Sequence, residues 1–208
     1  GLPAEFSAAI ATFPSIETAG KAVFEIMRGG LNPAALELLG PECIELMNKE
    51  ESLGLNVSPT LFMEFHGSTT SQLAEVLEIS DEICRAGGCS QFQPGLGRAE
   101  RDRIFKARHA LGEMIPRNHP DCGIMVMDVA VPITAYSALI ADIRKELAGT
   151  NLVSYYISHA GNGNVHLNIV GKKGDQKQWD LINAISQRLV SKCIELGGTA
   201  TGEHGIGL

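Results

Sequence analysis

The sequence predicts an α+β fold in which two ferredoxin-like β-α-β-β-α-β plaits form one mostly antiparallel sheet with helices on one face. Short apolar runs alternate with amphipathic helical segments, and the same order of elements occurs in both halves of the 208-residue chain. A chain of this length buries roughly two thirds of its unfolded surface, enough for one domain or two small ones. We expect a first plait over residues 1–94 and a second, carrying the functional site, over residues 95–208.

In the first half, apolar patterning and chain breakers predict four strands and three helices. Ser15 is a helix N-cap, Gly29-Gly30 is a helix stop signal, and the run 60–66 is rich in apolar and aromatic residues typical of a strand. The predicted strands cover 4–12, 34–38, 60–66 and 88–93. The predicted helices run from the Ser15 cap to Arg28, from Pro41 to Glu50 and over 70–86.

The second half repeats this order after a helix from Arg98 to Ile115, which Pro116 is expected to end. The predicted strands are 124–131, 152–159, 164–170 and 198–202, and the predicted helices are 133–147 and 175–196.

Composition excludes several classes of function. The chain has 24 acidic and 17 basic side chains, a net charge of −7, and no lysine or arginine cluster, so nucleic-acid binding is not expected. No apolar run approaches the roughly 18 residues of a membrane span, so we expect a soluble protein. The five cysteines are scattered and include no CxxC, which favours a reducing compartment over a disulfide framework or zinc ribbon.

Nucleotide-binding motifs are also absent from the sequence. No GxxxxGK[ST] occurs, and the glycine pairs 161/163 and 205/207 lack the third glycine and the later acid of a dinucleotide fingerprint. If the protein uses a nucleotide cofactor, most of the pocket for that cofactor lies outside this chain.

The segment Ser158 to Ile169 carries the first chemical signal. Its Gly-Asn-Gly-Asn sequence at 161–164 is strong turn chemistry, since glycine and asparagine adopt positive φ at little cost. A loop there would set His159 opposite His166, with β-carbons roughly 5 Å apart, close enough for both imidazoles to bind one metal ion. Asn168 would share that face. The alternative is a histidine pair that only stabilises the hairpin.

The C-terminal segment 197–207 places Glu203 and His204 in a glycine-rich strand end, where backbone can approach a ligand closely. Two histidines and one carboxylate form the three-ligand, open pattern of a catalytic metal site. His204, next to the predicted ligand Glu203, is then free to act as a general base. The alternative is an ordinary exposed turn.

Arg108 lies within the apolar stripe of the predicted helix 98–115. A guanidinium there needs a partner: either a buried carboxylate of the protein or the carboxylate of a substrate. His66 and Asp128 are expected to have structural roles.

Five segments together resemble the C-terminal, substrate-side domain of FAD-linked oxidases of the vanillyl-alcohol oxidase type. In the order of that family, they are Thr60 to Gly67, Ile104 to His109, Asp128 to Pro132, His159 to His166 and Thr201 to Gly207. The residues of these five segments are most similar to those of the D-lactate dehydrogenase (cytochrome) group. D-2-hydroxyglutarate dehydrogenases and the glycolate oxidase flavin subunit share the histidine and Glu-His motifs.

The resemblance implies a divalent metal, zinc or manganese, bound by His159, His166 and Glu203. It implies His204 as the catalytic base and Arg108 and Asn168 as substrate-binding residues. Two departures from the family pattern are Asn162, where the family's turn usually has aspartate, and Val126, near the place of a lysine in the hydroxyglutarate enzymes.

The same resemblance implies FAD-dependent oxidation of D-lactate, or a similar D-2-hydroxy acid, to the 2-oxo acid. Glycolate and D-2-hydroxyglutarate are the alternative substrates. FAD would be held mainly by a domain N-terminal to Gly1, so that this chain alone is inactive. The electron acceptor is not specified, and the expected compartment is the bacterial cytoplasm or the mitochondrion of a eukaryote.

Two hypotheses from other classes remain at the level of sequence. In a metallohydrolase, the same three ligands would activate water, and this chain would be active without flavin. In a non-catalytic plait pair, no metal would bind and substitution of His159 or His166 would have no effect.

Overall fold

The computed structural model describes residues 5–205 and has seven strands and six α-helices in that range. The strands are β1 (Glu5–Thr12), β2 (Ala35–Leu39), β3 (Thr60–Gly67), β4 (Gln91–Pro94), β5 (Cys122–Ala130), β6 (Val153–His159) and β7 (Asn164–Lys172). The helices are α1 (Ile16–Arg28), α2 (Pro41–Glu51), α3 (Thr70–Ala86), α4 (Arg98–Asn118), α5 (Tyr136–Leu147) and α6 (Gln176–Glu195). Residue 4 of the first predicted strand and residues 206–207 of the C-terminal motif lie outside the described residues.

Local sequence signals explain most element boundaries, which lie within three residues of the predicted ones. At the start of α1, the Ser15 hydroxyl accepts from the Thr18 backbone N–H at 3.2 Å, and the Thr18 hydroxyl accepts from the Ser15 N–H at 3.3 Å. Pro116 does not end α4, which continues to Asn118, because a proline in the last turn removes only one hydrogen bond of the helix.

The seven strands form one sheet in the order β4-β1-β3-β2-β6-β7-β5. The first four strands have the 4-1-3-2 order of a ferredoxin-like plait, and β6-β7-β5 repeat the 2-3-1 part of it. All strand pairs are antiparallel, and the two plaits meet where β2 pairs with β6. The α+β prediction is therefore confirmed, while the boundary between residues 94 and 95 stays a prediction.

The predicted strand 198–202 is wrong. Only an isolated bridge between Thr199 and Ala130 is present. The Thr199 N–H donates to the Ala130 carbonyl at 2.8 Å and the Gly202 N–H donates to the Asp128 carbonyl at 2.9 Å. Between these two hydrogen bonds the tail advances by three residues, whereas β5 advances by two. This mismatch prevents regular hydrogen bonding between the tail and β5.

Helices cover the two faces of the sheet unequally. The four plait helices α1, α3, α5 and α6 pack on one face over the larger apolar core, as predicted. The shorter α2 and the linking helix α4 lie on the other face over a second core that includes Leu39, Phe62 and Leu111. Within residues 5–205, no helix is both long and apolar enough to cross a membrane.

We predict that Gly163→Ala destabilises the protein by about 2 kcal/mol or more, because Gly163 has φ of +69° and an added Cβ would collide with the Val131 carbonyl oxygen. The free energy of unfolding, measured in urea, checks this. Gly161→Ala is the matched control in the same turn. There, a Cβ would meet the Leu36 Cβ at 3.4 Å and no positive φ is required. Equal stabilities of the two variants would contradict the prediction.

Candidate metal and substrate site

Two histidines project from the β6–β7 hairpin onto the sheet face that α4 partly covers. A 3-10 turn over Ala160–Asn162 pairs His159 with Asn164 and Ile157 with His166. The predicted opposition of His159 and His166 is wrong by two positions, because the turn begins one residue earlier than expected. An even shift keeps side chains on the same face, and the two imidazole centroids lie 5.4 Å apart.

The C-terminal tail reaches this hairpin because Asp128 of β5 anchors it. The Asp128 Oδ2 atom accepts from the backbone N–H groups of Glu203 and His204, each at 2.8 Å. Its Oδ1 atom accepts from the Asn164 amide at 2.8 Å. A Cβ at Gly202 would collide with that amide, so this close approach requires glycine. Burial raises the pKa of Asp128, but these hydrogen bonds outweigh it and lower the pKa to about 2.

The anchored tail brings Glu203 between the two histidines. Its Oε1 atom lies 3.2 Å from His159 Nε2 and 3.0 Å from His166 Nε2. Ligand atoms that are each about 2 Å from one ion are separated by roughly 3 to 4 Å, so the spacing fits a single divalent cation. Asp128, His166 and His204 form a second set of side chains close enough to share a metal ion. The Asp128 carboxylate already accepts three hydrogen bonds, so this second grouping is less suited to bind the ion.

The other ring nitrogen of each histidine is turned towards a carboxylate. His159 Nδ1 lies 2.6 Å from Glu37 Oε1, and His166 Nδ1 lies 3.3 Å from Asp128 Oδ1. A hydrogen-bonded carboxylate behind the imidazole, as at His159, is typical of histidines that bind metals, whereas the buried His166 Nδ1 makes no hydrogen bond to the described residues. Both Nε2 atoms are directed at the point where the ligands converge.

The pKa values of the two histidines are shifted in opposite directions. The hydrogen bond to Glu37 raises the pKa of His159, although burial acts against it. Burial lowers the pKa of His166, which favours the neutral ring that a metal requires. Burial also raises the pKa of Glu37, but the His159 hydrogen bond and the Arg108 charge outweigh it, so the net pKa is lowered and Glu37 is ionised.

Arg108 of α4 binds a carboxylate of the protein, which is one of the two alternatives that the sequence left open. Its Nε and Nη2 atoms donate to Glu37 Oε2 at 2.9 and 2.7 Å, and Nη2 lies 3.2 Å from His159 Nε2. The Arg108 side chain is 14% exposed and lines the cleft described below. Its Nη1 group has no hydrogen bond within residues 5–205, and its substrate-binding role stays a prediction.

A cleft of about 440 Å³ opens beside the three predicted ligands. Asn168 contributes an amide that has no hydrogen bond to the described residues. His204 lies at the rim with its side chain 64% exposed, and its ring centroid is 5.1 Å from that of His166. The remaining wall is mainly apolar and includes Leu111, Ile115, Ile124, Val126 and Ile157.

Glu37 was not among the site residues predicted from the sequence. Its partners Arg108 and His159 are 71 and 122 positions away in the chain. The available signal was a charged residue in the centre of the apolar strand Ala35–Leu39. Asp128 was expected to be structural, and here it acts as a hydrogen-bond anchor. His66 lies apart from the ligands and contacts Glu64 at 2.6 Å.

The glycines of the hairpin turn, Gly161 and Gly163, pack against other residues of this chain. A Cβ at Gly161 would meet Leu36, and one at Gly163 would meet Val131. These positions therefore offer no cradle for the phosphates of a dinucleotide.

The chain matches the family model described as FAD linked oxidases, C-terminal domain, over residues 2–208. It is 33% identical over 208 residues to a Danio rerio protein described as a probable mitochondrial D-lactate dehydrogenase, covering 100% of this chain and 42% of that protein. It is 27% identical to the glycolate oxidase subunit GlcD of Escherichia coli K12, covering 95% of this chain and 40% of the subunit. The chain thus spans less than half the length of these curated relatives.

Among solved structures, the 4-ethylphenol oxidase of Gulosibacter chungangensis aligns with a TM-score of 0.62 at 15% identity, covering 96% of this chain and 46% of the oxidase. An alkyldihydroxyacetonephosphate synthase aligns with a TM-score of 0.61 at 14% identity, covering 96% of this chain and 40% of the synthase. At these identities, the likeness shows a common fold.

We predict that Asp128→Ala releases the tail from the sheet, because it removes the acceptor of two backbone N–H groups, and hydrogen bonds to a charged group contribute about 1.5–3 kcal/mol each. Hydrogen exchange of the peptide that contains residues 199–205 should accelerate at least ~10-fold, as ~1.4 kcal/mol corresponds to a factor of ten. Mass spectrometry measures this exchange.

The matched control for this experiment is Asp121→Ala, which removes an exposed aspartate just before β5. We expect no change in tail exchange there. Unchanged exchange in Asp128→Ala would show that other contacts hold the tail.

Proposed function

The chain belongs to the family of FAD-linked oxidase C-terminal domains, and from this premise we propose that it is the substrate-side domain of an enzyme that oxidises D-lactate, or a similar D-2-hydroxy acid, to the 2-oxo acid. The observation that carries the proposal is the convergence of His159, His166 and Glu203 beside an open cleft. The relatives named for D-lactate and glycolate oxidation support the substrate class. The remainder of the protein would supply the FAD-binding domain.

His159, His166 and Glu203 would hold a divalent cation, zinc or manganese, through two imidazole nitrogens and one carboxylate oxygen. When bound, the cation supplies Lewis acidity that lowers the pKa of a coordinated substrate hydroxyl. The Glu37 carboxylate is hydrogen-bonded to His159 Nδ1, which would keep His159 Nε2 directed at the proposed ion.

His204 would accept the proton of the substrate hydroxyl. Its ring is exposed at the rim and has no hydrogen bond within residues 5–205, so a nitrogen is available. Its backbone N–H is held by Asp128, which positions the ring next to the ligands. FAD, when bound by the rest of the protein, supplies the acceptor for the α-hydrogen, which leaves as hydride while the C–O bond becomes the carbonyl.

Arg108 and Asn168 would orient the substrate carboxylate. Asn168 offers amide N–H donors on the same face as His166, and Arg108 offers its Nη1 group and its positive charge. Because Glu37 fixes the guanidinium, little orientational freedom would be lost when substrate binds.

The walls of the cleft favour a monocarboxylate over D-2-hydroxyglutarate. Val126 is 56% exposed beside Asn168, its partner on β7, and Ile124 and Ile157 continue the apolar surface. Among the described lining residues, Arg108 is the only arginine or lysine, so a second carboxylate would be desolvated without a counterion. The bacterial cytoplasm or the mitochondrion stays the predicted compartment.

We expect the full-length protein to reduce a dye with D-lactate as donor, with higher kcat/KM than for glycolate or D-2-hydroxyglutarate. Removal of the metal with a chelator should abolish turnover, and zinc or manganese should restore it. Highest kcat/KM with D-2-hydroxyglutarate would contradict the substrate assignment. Hydrolytic activity of this chain without flavin would instead support the metallohydrolase hypothesis.

We predict that His204→Ala in the full-length protein lowers kcat at least ~100-fold, the lower limit for loss of a general base, while the bound metal content is unchanged. His109→Ala is the matched control, since His109 also lines the cleft but belongs to neither ligand grouping. Near-normal turnover of His204→Ala would refute its assignment as the base.

A further inference from the structure

Glu37 is a buried carboxylate at the junction of three elements. It lies in the centre of β2, directly opposite His159 of β6 where the two plaits join, and it contacts Arg108 of α4. The residue is 8% exposed. A buried carboxylate is costly unless it is paired, and Glu37 has partners for both of its oxygens.

The two oxygens of Glu37 have different partners. Oε2 accepts from the Nε and Nη2 atoms of Arg108, at 2.9 and 2.7 Å, and Oε1 lies 2.6 Å from His159 Nδ1. An ionised carboxylate can only accept, so the proton in the Glu37–His159 hydrogen bond belongs to Nδ1. When the ring is neutral, His159 Nε2 therefore carries the lone pair, and this atom lies 3.2 Å from Glu203 Oε1 and 3.2 Å from Arg108 Nη2.

We propose that Glu37 is a positioning residue that fixes the tautomer and orientation of His159 so that Nε2 can bind a metal, with Arg108 holding the Glu37 carboxylate in place. This inference rests on the proposed function, because it concerns the cation assigned there to His159, His166 and Glu203. Glu37 itself would not contact the ion, since both of its oxygens are engaged.

The same face of the sheet contains a second cluster of the same composition. Glu64 of β3 is buried, lies 2.6 Å from His66 and accepts from Arg101 at 2.5 Å. Arg101 precedes Arg108 by seven residues, or two turns, of α4. His66 and Glu64 belong to neither candidate ligand grouping of the described residues. This Glu64 cluster is therefore a matched control for the loss of a buried glutamate charge.

The first experiment compares Glu37→Gln with Glu64→Gln in the full-length protein, with zinc affinity measured by calorimetry on metal-depleted samples. Glutamine keeps the shape of glutamate, and its carbonyl oxygen can still accept from Arg108. Its amide N–H would then face His159 Nδ1 and favour the ring with the proton on Nε2, which cannot bind metal. We expect about 10- to 100-fold weaker zinc binding in Glu37→Gln and wild-type affinity in Glu64→Gln.

The free energy of unfolding of both variants separates positioning from a purely structural role. We expect both to be destabilised, because each removes the charge partner of a partly buried arginine. Wild-type zinc affinity in Glu37→Gln, with stability lowered as in Glu64→Gln, would overturn the proposal.

A second measurement requires neither metal nor a variant of Glu37. Nitrogen-15 NMR of histidine-labelled, metal-free, full-length protein, at a pH where the ring is neutral, reports which nitrogen of His159 carries the proton, with His159→Asn for assignment. We expect the proton on Nδ1 in the wild type, and finding it on Nε2 would overturn the proposal. If the wild type binds neither zinc nor manganese, the metal part of the proposed function fails, whereas a proton on Nδ1 would still support orientation by Glu37.

Discussion

The candidate site depends on one interaction, the capture of the C-terminal tail by the Asp128 carboxylate. Glu203 and His204 are exposed and gain little from packing, so their position relies on their backbone hydrogen bonds to Asp128. These bonds are charge-assisted and therefore stronger than bonds between neutral groups. Glycine at 202 permits the close approach that the bonds require. A carboxylate on the edge strand thus completes a ligand set that the hairpin alone would leave with only two imidazoles.

The larger apolar core and the candidate site lie on opposite faces of the sheet, and the smaller core shares the face of the site. One face is apolar and packs against four helices, which supplies most of the buried hydrophobic surface. The other face carries buried glutamates that would be strongly destabilising without counterions. Helix α4 supplies those counterions from two positions seven residues apart, Arg101 and Arg108, which bind Glu64 and Glu37. The linking helix therefore does more than connect the plaits, because it neutralises the polar face on which the candidate site lies.

The cleft is open at its rim, as expected for a chain that matches only part of its longer relatives. The whole of this chain aligns with the Danio rerio relative, and the aligned region is 42% of the length of that relative. Ligand sites often lie between domains, where each side contributes part of the chemistry. In the proposed function, this domain holds the substrate, the cation and the base, and another domain holds the flavin. Under the same proposal, the apolar walls beside Asn168 would contribute to the choice among 2-hydroxy acids.

The sequence by itself determined the order of the elements from β1 to α6 and the α+β class. It also placed His159, His166 and Asn168 on one hairpin, because these features follow from local periodicity and turn chemistry. The hairpin register was misjudged, yet the shift of two residues preserved the shared face, since side chains alternate with a period of two. Only the tertiary structure decided that Glu37 lies behind His159, that Arg108 binds Glu37, and that the tail follows β5 without forming a regular strand. Those contacts join residues far apart in the chain, and no local pattern encodes which buried charge meets which partner.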